Sequence, residues 1–312
     1  MKWGDVASGQ RTSVLARHGM GAGTAGAKVV QLVANPAAGN HCADRLENLA
    51  RAFARAGACV IRSECGPHRD LEIDRRASHL CVVGGDGTLR HVALAALRTG
   101  REISLSLYPA GTVNLVHREA RCELEPDLYA RRIVRANLPR RQYAAMLDDG
   151  LFLACASAGP DSAAVAALSP GLKRWIGRYA YAVAFLKVLL AWQRPRITLT
   201  HDGTSLECEA FYVAKGRYFA GPWSFAPQAR VDEPMLHVVA LKTATRRAYA
   251  RFLWAMLRGR RVANLPGVRS FTCTALRAES GRPVPVPVQA DGDVAAHLPV
   301  DIRIRPEPLI FH

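Results

Sequence analysis

From Lys28 onward the apolar positions fall into short continuous runs, each followed by a stretch of helical spacing. Val29–Ala34 reads as a buried strand, and Leu46, Leu49, Ala50 and Phe53 then recur at the three- and four-residue steps of an amphipathic helix. Gly57 stops that helix. Residues 59–62, 80–83 and 104–108 are further apolar runs, with helical stretches over 89–98 and 125–136. Strands that alternate with helices predict parallel βαβ units, a class of fold in which ligands bind beyond the carboxyl ends of the strands.

After about residue 140 the rhythm changes. Asp149-Gly150 separates residues 142–147 from 151–157, and Asp202-Gly203 separates 197–200 from 206–213, the pattern of hairpins turned on Asp-Gly. Further strands are predicted at 235–242, 268–277, 284–290 and 298–305, with helices near 172–192 and 246–258. The expected architecture is an α/β domain with a parallel sheet over 28–138, followed by a mainly antiparallel β-sandwich domain over 139–312. The last few residues are expected to return to the first domain. Residues 1–27 are rich in Gly, Ala, Ser and Arg without periodicity and read as a flexible leader.

Composition narrows the class. At 312 residues, 49% hydrophobic and 22% charged, the chain is neither wholly disordered nor a multispanning membrane protein. No apolar run approaches the roughly 20 residues of a spanning helix, which predicts a cytoplasmic protein. The 42 Lys and Arg against 26 Asp and Glu give a net charge of +16, a field that attracts nucleotides, nucleic acid or an anionic membrane face. The eight cysteines are scattered through apolar runs with no Cys-x-x-Cys pair, so they read as buried thiols rather than zinc ligands or disulfides.

The chemistry concentrates at Gly84-Gly85-Asp86-Gly87-Thr88, where an apolar strand passes into a helix. Glycine allows close backbone approach, and a helix N-terminus presents unpaired N–H groups to phosphate. An acid at such a turn repels phosphate unless it binds Mg²⁺ or takes up a proton, which singles out Asp86. The plain alternative is an ordinary βα turn with Asp86 or Thr88 capping a helix. Two companion segments, Asn35-Pro36-Ala37-Ala38-Gly39-Asn40 and Pro109-Ala110-Gly111-Thr112-Val113-Asn114, also follow strands. Loops after successive parallel strands gather along one sheet edge, so three of them can surround one nucleotide.

Together these segments resemble the diacylglycerol kinase catalytic family, whose patterns read approximately Asn-Pro-x-Ser-Gly, Gly-Gly-Asp-Gly-Thr and Pro-x-Gly-Thr-x-Asn. The likeness continues through 156–163 and 172–181, through 215–218 and 226–229, and through Gln289-Ala290-Asp291-Gly292-Asp293. The resemblance implies an ATP-dependent lipid kinase with its active site in the cleft between two domains. By it Asn35, Gly84, Gly85, Gly87, Thr88, Gly111, Thr112 and Asn114 line the ATP site, and Asp86 and Asp293 hold Mg²⁺. Asp291 becomes the general base, with Asp86 as the rival assignment. From spacing alone Asp291-Gly292 reads as one more hairpin turn.

The chain departs from the family pattern at Ala38, Asn40, Leu115 and Glu233-Pro234, the last making a structural metal there doubtful. These departures leave a second reading, a catalytically inactive nucleotide- or membrane-binding relative. An NAD kinase shares Gly-Gly-Asp-Gly-Thr but pairs it with an Asn-Glu dipeptide that this chain lacks. Residues 246–261 carry six arginines and no acid among Tyr249, Phe252, Leu253, Trp254, Met256 and Leu257, the composition of an interfacial helix. A lipid substrate at the inner face of a membrane is therefore the expected partner. Nucleic acid is not expected, and homodimerisation is expected from the resemblance.

Overall fold

The computed structural model describes residues 27–36, 38, 42–66, 71–111, 113–135, 138–167, 185, 187–281 and 285–312. Residues 1–26 of the leader, Gly39 and Asn40, Thr112 and most of the 172–192 segment lie outside the described residues.

The first domain is a six-stranded sheet built from β1 (Val29–Ala34), β2 (Cys59–Glu64), β3 (His79–Gly84), β4 (Ser104–Pro109), β5 (Arg140–Gln142) and β18 (Leu309–Phe311), in the order β2-β1-β3-β4-β18-β5. Strands β2, β1, β3, β4 and β18 run parallel, and β5 pairs antiparallel with β18. Every residue of β3 and β4 is buried, as in a parallel sheet covered on both faces. The chain steps outward from β1 to β2 and then back across β1 to β3. Right-handed crossovers in opposite directions place the connecting helices on opposite faces. Helices α1 (Ala43–Arg55) and α4 (Pro126–Arg135) bury Leu49, Phe53, Tyr129 and Ile133 on one face. Helix α2 (Asp86–Arg98) buries Leu89, Val92 and Ala93 on the other, in a core shared with the second domain. The reversal of direction between β1 and β3 opens a crevice at their carboxyl ends.

The second domain packs two six-stranded antiparallel sheets face to face. One contains β6 (Ala145–Leu147), β7 (Gly150–Phe152), β9 (Ile197–His201), β10 (Thr204–Cys208), β14 (Ala275–Ser280) and β17 (Val300–Ile304). The other contains β8 (Cys155–Ala158), β11 (Ala210–Ala214), β12 (Leu236–Leu241), β13 (Val268–Cys273), β15 (Pro287–Ala290) and β16 (Asp293–His297). Alternate residues such as Leu199, Phe211, Val238, Leu276, Val288 and Ile302 fill the core between the sheets.

Three expected strands are each two. Residues 151–157 break at Leu153-Ala154, 206–213 at Glu209 and 268–277 at Thr274, and at every break the chain leaves one sheet for the other. A continuous apolar run is equally consistent with one strand or with two that feed opposite sheets of a sandwich. Residues 142–147 likewise divide between β5, in the first domain, and β6, in the second. The Asp202-Gly203 turn forms as expected, with φ of 45° and 72° and His201 paired with Thr204. The Asp149-Gly150 turn is shifted by one residue. Leu147 pairs with Gly150, and Asp148 takes the left-handed conformation while its carboxylate accepts the Asp301 N–H at 2.9 Å. Helix α5 (Pro160–Ala167) follows β8 where no helix was expected. All eight cysteines are free; Cys65, Cys81, Cys155, Cys208 and Cys273 are buried as expected, whereas Cys59 and Cys122 are half-buried and Cys42, just before α1, is exposed.

Phe53 is fully buried and meets Tyr129 edge to face at 6.2 Å between α1 and α4. Phe53→Ala is expected to lower unfolding free energy by about 3–5 kcal/mol in urea titrations, because the cavity lies where two helices and a sheet limit collapse.

Candidate active site

Three loops meet at the carboxyl ends of β1, β3 and β4. The Gly84 carbonyl accepts N–H bonds from Ala110 at 2.8 Å and Gly111 at 3.2 Å, and the Asn35 N–H reaches Val83 O at 3.2 Å. Asn35 Nδ2 donates to Thr88 Oγ1 at 3.0 Å, tying the first loop to α2. A Cβ built on Gly111 would lie 2.7 Å from Gly85 Cα, so backbone packs on backbone and glycine is required there. Asn114, at φ 53°, closes its loop by donating to Gly111 O at 2.8 Å and accepting the Gly111 N–H at 3.1 Å. The described residues expected around the nucleotide are thus gathered at one edge.

Asp86 is the first residue of α2 and is almost wholly buried. Its carboxylate accepts the N–H groups of Leu115 at 2.6 Å and Val116 at 3.0 Å, the first residues of α3 (Leu115–Ala120). It therefore caps a helix, as the plain reading allowed, but the helix is α3 rather than its own. Burial pushes its pKa up to about 7, with repulsion from Asp291 and Asp293 adding to the rise and the two N–H bonds opposing it.

The β15–β16 hairpin brings in those two acids from the second domain. Asp291 and Gly292, at φ 48° and 89°, form a two-residue turn of the type Asp-Gly favours. The hairpin turn expected from spacing alone is therefore present. The Asp291 carboxylate accepts three backbone N–H bonds, from Leu153 at 2.8 Å, Ala154 at 2.9 Å and Cys155 at 3.1 Å. These are the residues where the chain crosses from one sheet to the other, so no ladder partner serves Leu153 and Ala154. Burial raises the pKa of Asp291, while the Arg90 charge and the three N–H bonds hold it down.

Arg90, unremarked in the sequence, spans the two domains. Its Nη1 donates to Ala290 O at 3.0 Å and its Nη2 lies 3.7 Å from the Asp293 carboxylate. It stands one helical turn after Asp86, a spacing that could have flagged it. A Cβ on Gly87 would collide with that same Asp293 carboxylate. Asp86, Gly87 and Arg90 from α2 thus face Asp291 and Asp293 from a hairpin two hundred residues away.

A buried polar chain supports the hairpin from behind. Gln289 accepts the Gly292 N–H at 2.9 Å and donates to Ser157 Oγ at 2.8 Å, and Ser157 donates to Asp161 of α5. Tyr212 OH donates to Asp161 at 2.9 Å and contacts Tyr249 OH. Burial raises the pKa of Asp161. The network was not visible in the sequence, because its members come from five separate elements. At the doubtful metal position, Asp232 and Glu233 pair with Arg230 at 2.8 and 3.2 Å, and the buried Lys215 ammonium donates to Arg230 O at 2.7 Å.

Comparison with known proteins matches both domains. Residues 29–145 match the family model of the diacylglycerol kinase catalytic domain, and residues 154–311 match that of the YegS C-terminal NAD kinase beta sandwich-like domain. The chain belongs to this diacylglycerol kinase and YegS family. A Pseudomonas putida protein named "Probable lipid kinase YegS-like" is 32% identical over 167 residues, 53% of this chain and 56% of the relative. The chain thus spans about half the length of that relative. A diacylglycerol kinase from Staphylococcus carnosus is 23% identical over 257 residues, covering 82% of this chain and 81% of the relative. The crystal structure of a Bacillus anthracis diacylglycerol kinase superposes with a TM-score of 0.72 at 20% identity, over 92% of this chain and 98% of the other, a likeness of fold.

Because the folded-state pKa of Asp86 lies above its unfolded value near 3.8, its contribution favours folding below that value and is lost as pH rises to about 7. Between pH 4 and 7 the stability of the wild type is expected to fall relative to Asp86→Asn, by at most about 1.4 kcal/mol per pH unit. Urea titrations of both proteins across that range measure it, and parallel curves would contradict the assignment.

Proposed function

We propose that the chain is an ATP-dependent lipid kinase that transfers the γ-phosphoryl group to a lipid hydroxyl, on diacylglycerol or a related glycerolipid or long-chain base. The observation that carries this reading is the convergence of Asp86 and Asp291, from two domains, on the glycine-lined turn at the N-terminus of α2. The described glycines and the N–H groups of that terminus suit a nucleotide's phosphates.

Asp291 is the general base. It accepts the proton of the acceptor hydroxyl as that oxygen attacks the γ-phosphorus and the bond to the β-phosphate oxygen breaks. A carboxylate whose burial raises its pKa is a stronger base than a solvated one, and its three N–H donors fix its orientation. Asp86, whose carboxylate caps α3, is assigned the positioning role. Arg90 holds the hairpin against α2 and so sets the distance between the two domains' contributions.

The carboxylates fit a magnesium ion. Mg²⁺ takes one or two carboxylates along with substrate phosphates and water, and the mutual repulsion that helps raise the Asp86 pKa is the surplus negative charge a divalent cation would offset. Asp86 and Asp293 would hold it, and its contribution would be to neutralise charge building on the transferred phosphoryl group.

Supply of a lipid is best served by docking on an anionic membrane. Residues 242–278 contain no acid, and the helix Arg246–Leu257 exposes Trp254 and Leu257 at 54% and 48% while burying Tyr249 and Phe252. Arg258 stacks on the Trp254 ring at 4.4 Å. Basic groups around exposed apolar side chains match the headgroup boundary of a bilayer. Among the described residues no helix is long and apolar enough to cross a membrane.

Turnover of labelled ATP on mixed micelles of diacylglycerol tests the reaction. Asp291→Asn is expected to lower kcat by about 10²–10⁴ with its melting temperature checked in parallel. Full activity of this variant would remove Asp291 from the role. For docking, Arg247→Gln with Arg251→Gln is expected to weaken sedimentation with phosphatidylglycerol vesicles by about tenfold or more, and to leave binding to phosphatidylcholine vesicles unchanged.

A further inference from the structure

A second cationic site lies apart from the Asp86–Asp291 cleft. Where the carboxyl end of α3 meets β5 and the connection between β11 and β12, the surface folds into a cavity of about 490 Å³. Arg121, Arg140, Arg141, Arg217 and Arg230 line it. Of the two acids in its wall, Glu119 is occupied by the Arg217 backbone N–H and Asp232 by the Arg230 guanidinium at 2.8 Å. The cavity therefore holds more positive charge than its own acids offset.

Several of these arginines are held in place. Arg140 Nη1 donates to Ala120 O at 2.9 Å, and Arg217 Nε donates to Pro227 O at 3.2 Å, which among the described residues leaves other N–H groups of each fork unused. Arg121 sits in the left-handed region at φ 48°, a costly conformation for a non-glycine residue. Its side chain and that of Arg141 make no hydrogen bond or ion pair among the described residues. Convergent guanidinium groups repel one another, and an anion that several of them share removes that cost. The planar fork matches phosphate oxygens two at a time. Tyr218 forms one wall, 5.7 Å from the Arg118 guanidinium. The volume lies within the range of small-molecule sites and far exceeds a bare phosphate, so the occupant carries a larger body behind its phosphate.

We propose that this cavity binds a phosphate monoester or diester at a site separate from the catalytic one. The site is at the opposite end of α3 from Asp86, whose carboxylate holds the first amides of that helix. Six residues at about 1.5 Å each put the two ends roughly 9 Å apart. The proposal stands on the arginines alone and does not require the kinase reading.

Calorimetric titration of the full chain at about 0.1 M salt tests it, with glycerol 3-phosphate, dihexanoyl phosphatidic acid and neutral dihexanoylglycerol as probes. The phosphate-bearing probes are expected to bind saturably. Arg121→Gln with Arg141→Gln is expected to weaken that binding by about tenfold or more, whereas Asp291→Asn leaves it unchanged. Tighter binding of dihexanoyl phosphatidic acid than of glycerol 3-phosphate, lost in the arginine variant, assigns a lipid headgroup. Equal binding of the two, lost in the same variant, assigns a free phosphorylated molecule. Absence of saturable binding up to roughly millimolar probe, or binding that the arginine variant retains, overturns the proposal. Both arginines are exposed and their side chains make no bond among the described residues, so the variant is expected to keep the wild-type thermal melt. Arg217→Gln supplies an independent second variant, expected to weaken the same binding.

Discussion

One carboxylate satisfies the backbone where the sandwich changes sheets. Between β7 and β8 the chain leaves its first ladder before joining the second, and the N–H groups of Leu153, Ala154 and Cys155 turn toward Asp291. Buried amides without an acceptor are costly, so the acid is part of what lets the crossing exist. The reverse also holds. Three fixed donors keep a buried carboxylate oriented in a place where burial alone would favour its neutral form. The same atoms therefore serve the architecture of the second domain and the chemistry proposed for the cleft.

The first domain uses Asp86 in a parallel way. Its carboxylate holds the opening amides of α3, so the loop after β3 is tied to the helix that follows β4. Gly85 and Gly111 add backbone contact between those loops, and Asn35 secures α2 through Thr88. Arg90 then joins this edge to the β15–β16 hairpin. Burial raises the pKa of both acids, the Asp291 and Asp293 charges add to the rise at Asp86, and the Arg90 charge holds Asp291 down. That negative charge would suit the divalent cation of the proposed reaction.

The second domain's remaining polar groups extend the same logic. The chain from Gln289 through Ser157, Asp161 and Tyr212 to Tyr249 runs from the turn that bears Asp291 to the helix with exposed Trp254. The helix proposed to meet the membrane is thus hydrogen-bonded, through side chains, to the strand that carries the proposed base. Gln289, Ser157, Tyr212 and Tyr249 are buried and Asp161 is half-buried, so a gap in the chain would leave a polar group unpaired.

Much of the first domain was legible in the residues. Strand and helix periodicity located β1, β3, β4, α1 and α4 to within a few positions, because each element buries one continuous stripe or run. Glycines beside an acid at a strand end marked the edge where the three loops meet, since close backbone approach there tolerates no side chain. The β-sandwich was legible only as a class. An apolar run such as 206–213 carries the same burial signal whether it stays in one sheet or crosses to the other at Glu209, so the sheet switches had to come from three dimensions. The role of Asp291 divides in the same way. Its Asp-Gly turn is written locally, since both residues take positive φ. Its contact with Leu153 to Cys155, its proximity to Asp86 and the bridge made by Arg90 depend on pairings across well over a hundred residues, which no local pattern encodes.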